Sequence, residues 1–225
     1  MCNELIFLCH STLVASVTLL LLWIGKEGLT AGVCLFSILS NLLVTKQINL
    51  FGLETITTDV FTIGAVFCLN LLQEYFGRTA TKRAIFCNFV LLIAYLLMCQ
   101  LHLAYQPNSF DTTQQHFDIL LTPMLRIIIA SVVSYLLSQL FDAYLYGKLK
   151  IIFHNKHLIL RNTLTMASSQ LLDTMFFTFA ALYGTMHNVW HIIIISYAIK
   201  IIVVICSTPF IALSKFLISK SPHHE

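Results

Sequence analysis

The stretch SSQLLDTMFFTFAALYGTMHNVWHIIIISYAIKIIVVICSTPF, residues 168–210, decides the fold of this chain. A helix needs about 20 apolar residues to cross the roughly 30 Å of hydrocarbon in a bilayer, and this stretch is long enough for two such helices. Its only Asp, Glu, Lys or Arg residues are Asp173 and Lys200. The stretch therefore predicts two sequential transmembrane helices, each with one ionisable side chain inside it.

The composition of the whole chain extends this interpretation to all 225 residues. Hydrophobic residues make up 58%, charged residues 10%, and the mean hydropathy is +0.84. A soluble domain carries about 25% charged residues, so lipid must solvate most of these side chains. We expect an all-α, polytopic transmembrane helix bundle forming a single transmembrane domain over 1–225, with a short cytoplasmic tail at 215–225. The small net charge of +3 and the lack of a basic run argue against a nucleic-acid partner.

Apolar runs of suitable length predict about seven spans, with six as the alternative. The first run carries Glu4 in place of a basic leader, so it is expected to be a retained helix and not a cleaved signal peptide. The seven predicted spans cover residues 5–24, 29–45, 56–76, 84–104, 119–144, 163–183 and 189–213.

The distribution of basic residues predicts the orientation. Cytoplasmic loops of membrane proteins carry an excess of Lys and Arg. Seven spans with the N-terminus outside and the C-terminus in the cytoplasm place ten of the thirteen basic residues on the cytoplasmic side. The expected location is the inner (plasma) membrane, as a multi-pass protein.

Asp173 and Lys200 are the polar residues that a bilayer makes most expensive. A charge at mid-bilayer costs at least about 2.5–3.5 kcal/mol. At 1.5 Å per residue the two lie at about the same depth on antiparallel helices, so an ion pair is expected. Two interpretations stay open: the pair neutralises itself within the packing, or it lines a substrate cavity.

Further polar side chains fall at different depths of the predicted bundle. Gln139 and Asp142 are three residues apart, as are Gln170 and Asp173, which places each amide and carboxylate on one helical face. Such residues could line a polar path, although Asp142 and Glu74 near helix ends could equally be solvated, and Arg126 could extend to the interface. The remaining members of this predicted set are Asn41 and Asn70.

Several sequence signatures of other functions are absent. The chain has no P-loop, no H-E-x-x-H and no G-x-S-x-G sequence, which argues against an enzyme. His154 and His157 share a basic loop and are better explained as surface residues than as metal ligands. The seven cysteines are scattered and form no disulfide pattern. We expect no metal and no cofactor.

Seven segments of the sequence resemble the queuosine precursor transporter family, within the vitamin uptake transporter group. The resemblance covers about residues 3–215. Its segments are SN at 40–41, TKQ at 45–47, LFGL at 50–53, LNLLQEYFGRTATKRAIF at 69–86, RIIIASVVSYLLSQLFD at 126–142, SSQLLDTMFFTFA at 168–180 and YAIKIIVVICSTPF at 197–210.

The resemblance implies an importer of a 7-deazaguanine base: queuine, preQ1 or preQ0. Family expectations for substrate binding fall on Asn41, Lys46, Glu74, Arg126, Gln139, Asp142, Gln170, Asp173 and Lys200. The chain departs from the family at two positions. Asn70 stands where members usually have an aspartate, and Asp59 stands where an amide is expected.

The chemistry of the predicted residues suits such a substrate. A guanine-like edge presents adjacent N–H donors, which can bond to a carboxylate. It also presents a carbonyl, which can accept a hydrogen bond from an amide N–H or from a Lys or Arg side chain. The rings of Phe176, Phe177, Phe179 and Tyr197 are candidates for stacking on the flat base. The alternatives are a substrate-binding membrane subunit of an ATP-energised vitamin uptake complex, or a transporter for another small purine-like nutrient. Partners beyond membrane lipid and the substrate, whether a second copy or an energising module, are left open.

Overall fold

The computed structural model describes residues 3–154, 158–186 and 188–202, which are mostly helical. The residues outside these ranges include the predicted tail at 215–225 and His157. The helices are α1 (Asn3–Ile24), α2 (Lys26–Leu43), α3 (Asp59–Leu103), α4 (Gln114–Leu121), α5 (Met124–Ile152), α6 (Leu158–Phe177) and α7, described over Val189–Ile202; the strands are β1 (Gln47–Leu50) and β2 (Leu53–Ile56).

The first two helices are joined without a loop. Gly25 takes a φ of 107°, which other residues rarely adopt, and α2 begins at the next residue. The predicted span began three residues later, because Lys26 and Glu27 looked like a polar loop. Both side chains are exposed on the first turn of α2, where they form an ion pair of 3.7 Å.

A β-hairpin between α2 and α3 was not predicted. Gln47 pairs with Ile56 and Leu50 with Leu53, so the turn is formed by Phe51 and Gly52. Both turn residues have positive φ, as in the tight turns that match the twist of a hairpin. The sequence interpretation was therefore incomplete in describing the chain as all-helical.

The hairpin packs within the helices. Leu50 is fully buried against Ile195 and Ile199 of α7. The Glu4 carboxylate at the start of α1 accepts a hydrogen bond of 2.9 Å from the backbone N–H of Phe51. These contacts hold the hairpin against α1 and α7, while Phe51 at its turn is exposed.

The long helix α3 contains two candidate spans. Gly77 breaks it with φ 77° and ψ 175°, leaving Asp59–Gly77 and Thr79–Leu103 as separate apolar helices. The predicted break was a loop of several residues. Instead, Lys82 and Arg83 lie exposed in the first turns of the second helix, because one glycine with positive φ suffices to redirect the chain.

The predicted fifth span is interrupted near its start. Thr122 and Pro123 separate α4 from α5, since proline lacks the N–H that a continuous helix needs. Beyond α6 the chain continues as one π-helical turn, Thr178–Leu182, before α7. Each of the seven predicted spans overlaps a helix in the described ranges.

The outer surface of the bundle is apolar. Only 17% of the apolar window of α1 is buried, and the same holds for Thr79–Leu103. Exposed apolar surface on this scale is unfavourable in water and favourable in lipid. Within the described residues, four helical stretches are long and apolar enough to cross a membrane: Asn3–Ile24, Asp59–Gly77, Thr79–Leu103 and Gln114–Ser138, the last of which runs through the junction of α4 and α5. The chain is a helical membrane protein.

We predict that Gly28→Ala destabilises the joint between α1 and α2. A Cβ at Gly28 would lie 2.5 Å from the backbone carbonyl oxygen of Leu21, which cannot move aside as a side chain can. Overpacking of this kind costs about 1–3 kcal/mol. The unfolding temperature of the detergent-solubilised protein measures the effect.

Gly147→Ala in α5 is the matched control. A Cβ at Gly147 meets nothing within 4 Å, and alanine is the better helix former, so its unfolding temperature should be unchanged or slightly raised. Equal unfolding temperatures for both variants would contradict the close approach at Gly28.

Candidate functional site

The centre of the candidate site is an ion pair between α6 and α7. Lys200 Nζ donates to Asp173 Oδ2 over 2.7 Å, and the two side chains are 13% and 23% exposed. The contact expected from the equal depth of the two residues is therefore present. A pair so short and so little exposed interacts more strongly than one at a water-exposed surface.

A second carboxylate lies beside this pair. Asp59 is the first residue of α3, where the helix dipole favours a negative charge, and it is only 4% exposed. Its Oδ2 accepts a hydrogen bond of 2.8 Å from Ser196 Oγ, one turn before Lys200 on α7. Three helices thus place two carboxylates and one ammonium group close together.

A small cavity of about 40 Å³ lies beside these groups. Asp59 and Lys200 lie in its wall, with the apolar side chains of Ile56 and Phe177. The rest of the described wall consists of six hydroxyl side chains. They come from α2, the N-cap and first turn of α3, α6, the π-helical turn after it, and α7: Ser40, Thr58, Thr62, Thr174, Thr178 and Ser196.

Several of these hydroxyl groups also bond to nearby protein groups. Thr174 Oγ1 donates to the Gln170 carbonyl over 2.8 Å, and Ser40 Oγ and Thr62 Oγ1 are 3.2 Å apart. A hydroxyl both donates and accepts, so it can exchange such a bond for one to a ligand. The wall of the cavity thus combines hydrogen-bonding hydroxyl groups with the ionisable side chains of Asp59 and Lys200.

Arg126 of α5 has a different environment. Its guanidinium donates to the carbonyls of Ala180 and Tyr183, both over 2.7 Å. These carbonyls lie in and just after the π-helical turn, at the end of a helix, where carbonyl groups have no N–H donor within the helix. Arg126 therefore stabilises the end of this segment; the predicted role in substrate binding stays a prediction.

The other predicted residues lie at different places in the bundle. Asn41 is buried on α2 and its amide donates to the Ser37 carbonyl over 2.8 Å, while its Oδ1 accepts no bond within the described part. Lys46 is exposed before the hairpin and Glu74 is exposed near the break in α3. Asn70 and Gln170 are half-buried.

Two predicted residues, Gln139 and Asp142, belong to α5, but their side chains are outside the described part of the structure. Among the predicted residues, Lys200 lies in the wall of the cavity, and Asp173 contacts Lys200. Phe177, a predicted stacking residue, also lines the cavity. Substrate binding by any of these residues is still a prediction.

The sequence analysis missed the hydroxyl groups and did not place Asp59 in the site. Serine and threonine are common in membrane helices, where they often bond to their own backbone, so single ones carry little information. The sequence signal that could have identified these hydroxyl residues is their spacing along each helix. Thr174 and Thr178 are four residues apart, as are Ser196 and Lys200, and each pair shares one helical face with the pocket.

A helical membrane protein with ionisable groups around an internal polar cavity belongs to the class of membrane transport proteins. The model of the family described as "Putative vitamin uptake transporter" matches residues 59–214. The chain belongs to this vitamin uptake transporter family.

A relative from Bacillus subtilis (strain 168) is described as "Probable queuosine precursor transporter". It is 32% identical over 197 residues, which cover 86% of each chain. No solved structure matches the chain.

We predict that single substitutions of the ion pair destabilise the protein more than the double substitution. Lys200→Met leaves two carboxylates without their cation, and stranding a buried charge costs about 3–5 kcal/mol. Asp173→Leu should be milder, since Lys200 can still interact with Asp59. The double variant also removes the stranded Asp173 charge but still leaves Asp59 without Lys200, so it should recover part of the stability lost in Lys200→Met, as measured by unfolding temperature in detergent.

The exposed pair of Lys26 and Glu27 is the matched control. Its side chains are 60% and 74% exposed, so Lys26→Met with Glu27→Leu should leave stability nearly unchanged. A double variant of the buried pair that is as unstable as Lys200→Met would contradict the proposed coupling between Asp173 and Lys200.

Proposed function

We propose that this chain imports a 7-deazaguanine precursor of queuosine across the membrane. The observation that carries the proposal is the internal polar cavity, which has Lys200 in its wall and Asp173 bonded to Lys200. Membership of the vitamin uptake transporter family and similarity to the Bacillus subtilis relative over 86% of the chain support it. The chain acts as a carrier and not as an enzyme.

The chemistry of the wall fits recognition of a guanine-like edge. Adjacent N–H donors of the base can bond to a carboxylate, and the carbonyl of the base can accept from Lys200 or a hydroxyl. Phe177 offers an aromatic ring to the face of the base. Leaving one of these groups unpaired in the cavity costs about 1–3 kcal/mol, which discriminates against bases with a different edge.

The size of the cavity implies a conformational change in the transport cycle. A volume of about 40 Å³ holds a few water-sized groups and not a bicyclic base. Uptake therefore requires the helices around it to separate. The joint of α6, its π-helical turn and α7 is a suitable place, because irregular helical turns are often functional.

Import is tested in a cell that cannot make the precursor and expresses only this transporter. We expect queuosine to appear in its tRNA when queuine, preQ1 or preQ0 is supplied outside. Asp173→Ala should abolish this gain while membrane abundance stays near that of the wild type. No queuosine from any of the three bases, with the wild-type protein confirmed in the membrane, would overturn the proposal.

Proteoliposomes that contain only the purified chain measure whether it needs an energising partner. Uptake of labelled base into these vesicles supports a self-sufficient carrier. Uptake that occurs in cells and is lost in the vesicles would favour a binding subunit with a separate ATPase.

We further propose seven spans, with the N-terminus outside and the C-terminus in the cytoplasm. The support is the distribution of basic residues, since Lys82, Arg83 and Lys148 then lie on the cytoplasmic side. A reporter that fluoresces only in the cytoplasm should be bright at the C-terminus and dark at the N-terminus. Bright reporters at both ends would indicate an even number of spans.

A further inference from the structure

Among the described residues, the ionisable groups around the cavity do not balance. Lys200 carries one positive charge, and its hydrogen bond of 2.7 Å goes to Asp173. Asp59 lines the same cavity and receives a bond from the neutral hydroxyl of Ser196. If both carboxylates are ionised, the site carries one negative charge more than it has positive charges.

The location of Asp59 makes this excess costly. Asp59 is 4% exposed, is the one Asp, Glu, Lys or Arg among the buried polar residues of the described ranges, and is the first residue of a candidate span. A carboxylate removed from water needs a counter-charge or hydrogen bonds to compensate for its lost hydration. Lys200 lines the same cavity as Asp59, but its short contact is with Asp173.

We propose that Asp59 binds a cationic substituent of the substrate and that the transporter therefore selects 7-deazaguanines with a protonated aminomethyl arm. This inference rests on the proposed function and names the substrate class within it. In preQ1 and queuine the 7-methylene carries an amine that is protonated at neutral pH. In preQ0 the ring carbon C7 carries a neutral nitrile in place of the aminomethyl group.

The dimensions of the site agree with this assignment. An ammonium group is about the size of a water molecule, and the 40 Å³ beside Asp59 has room for such a group. The hydroxyls of Thr58 and Thr62 lie in the same wall and can accept the remaining N–H bonds of an ammonium group. The aminomethyl arm of preQ1 can therefore occupy the existing cavity, while the bicyclic ring, and the ring that queuine carries on its amine, enter only when the helices part.

Asp59 could instead accept the N–H donors of the ring edge, which all three bases share. The two roles differ in a measurable way. If Asp59 reads the ring, its loss affects every base equally. If Asp59 binds the cationic arm, its loss affects only those bases that carry the charge.

The first experiment uses the wild-type protein in proteoliposomes and compares competitors for uptake of labelled preQ1. 7-Hydroxymethyl-7-deazaguanine has nearly the same size and a neutral arm. We expect it and preQ0 to compete at least about tenfold more weakly than unlabelled preQ1, since a charge-assisted bond exceeds a neutral one by this amount or more. Equal competition by all three would overturn the proposal.

The second experiment measures the same ratio in Asp59→Asn, which keeps the shape of the side chain and removes its charge. We expect the preference for preQ1 over the hydroxymethyl analogue to fall at least about tenfold, towards unity. Asp59→Glu should keep the preference. Asp118→Asn, the same change at an exposed residue of α4, should match the wild type.

The ratio is measured within one protein sample, so a lower amount of folded protein does not alter it. An unchanged ratio in Asp59→Asn, or an equal loss of both substrates by a folded variant, would overturn the proposal. If Asp59→Asn does not fold, the wild-type competition decides. Failure of the import proposal looks different: no 7-deazaguanine, charged or neutral, would be taken up by cells that express the chain.

Discussion

The bond between Lys200 and Asp173 constrains much of the structure around it. An ionised group inside an apolar bundle is stable only where a partner of opposite charge meets it. This requirement fixes how α6 and α7 face each other, since a rotation of either helix would expose a charge to lipid. Asp59 brings the start of α3 to the same place through its bond to Ser196. The cavity lies where these three helices meet.

The irregular backbone around this centre follows from a related requirement. Within a membrane every backbone polar group needs a partner inside the protein. The hairpin meets it through its own pairing, the bond from Phe51 to Glu4 and the packing of Leu50 on α7. At the end of the π-helical turn, Arg126 bonds to two carbonyls. Arg126, which the sequence analysis included among the predicted substrate-binding residues, thus also stabilises the backbone.

The sequence predicted the helices well and the connections poorly. Apolar runs depend on the thickness of the bilayer, which is the same for every span, so their approximate positions follow from length alone. The connections depend on single residues. Gly25 and Gly77 redirect the chain where loops were expected, and Pro123 separates two helices where one was expected. The hairpin was missed because its short strands resemble the flanks of the neighbouring spans.

The sequence by itself determined that the chain is a helical membrane protein, and that Asp173 and Lys200 lie at one depth on neighbouring helices. Both conclusions rest on distances along the chain, which a helix converts into depth at a fixed rise. Only the tertiary structure decided which groups share the cavity. Asp59 and Ser196 are 137 residues apart in sequence and 2.8 Å apart in space. The rotation of each helix about its axis, set by packing, brings such groups together, and spacing within one helix does not reveal it.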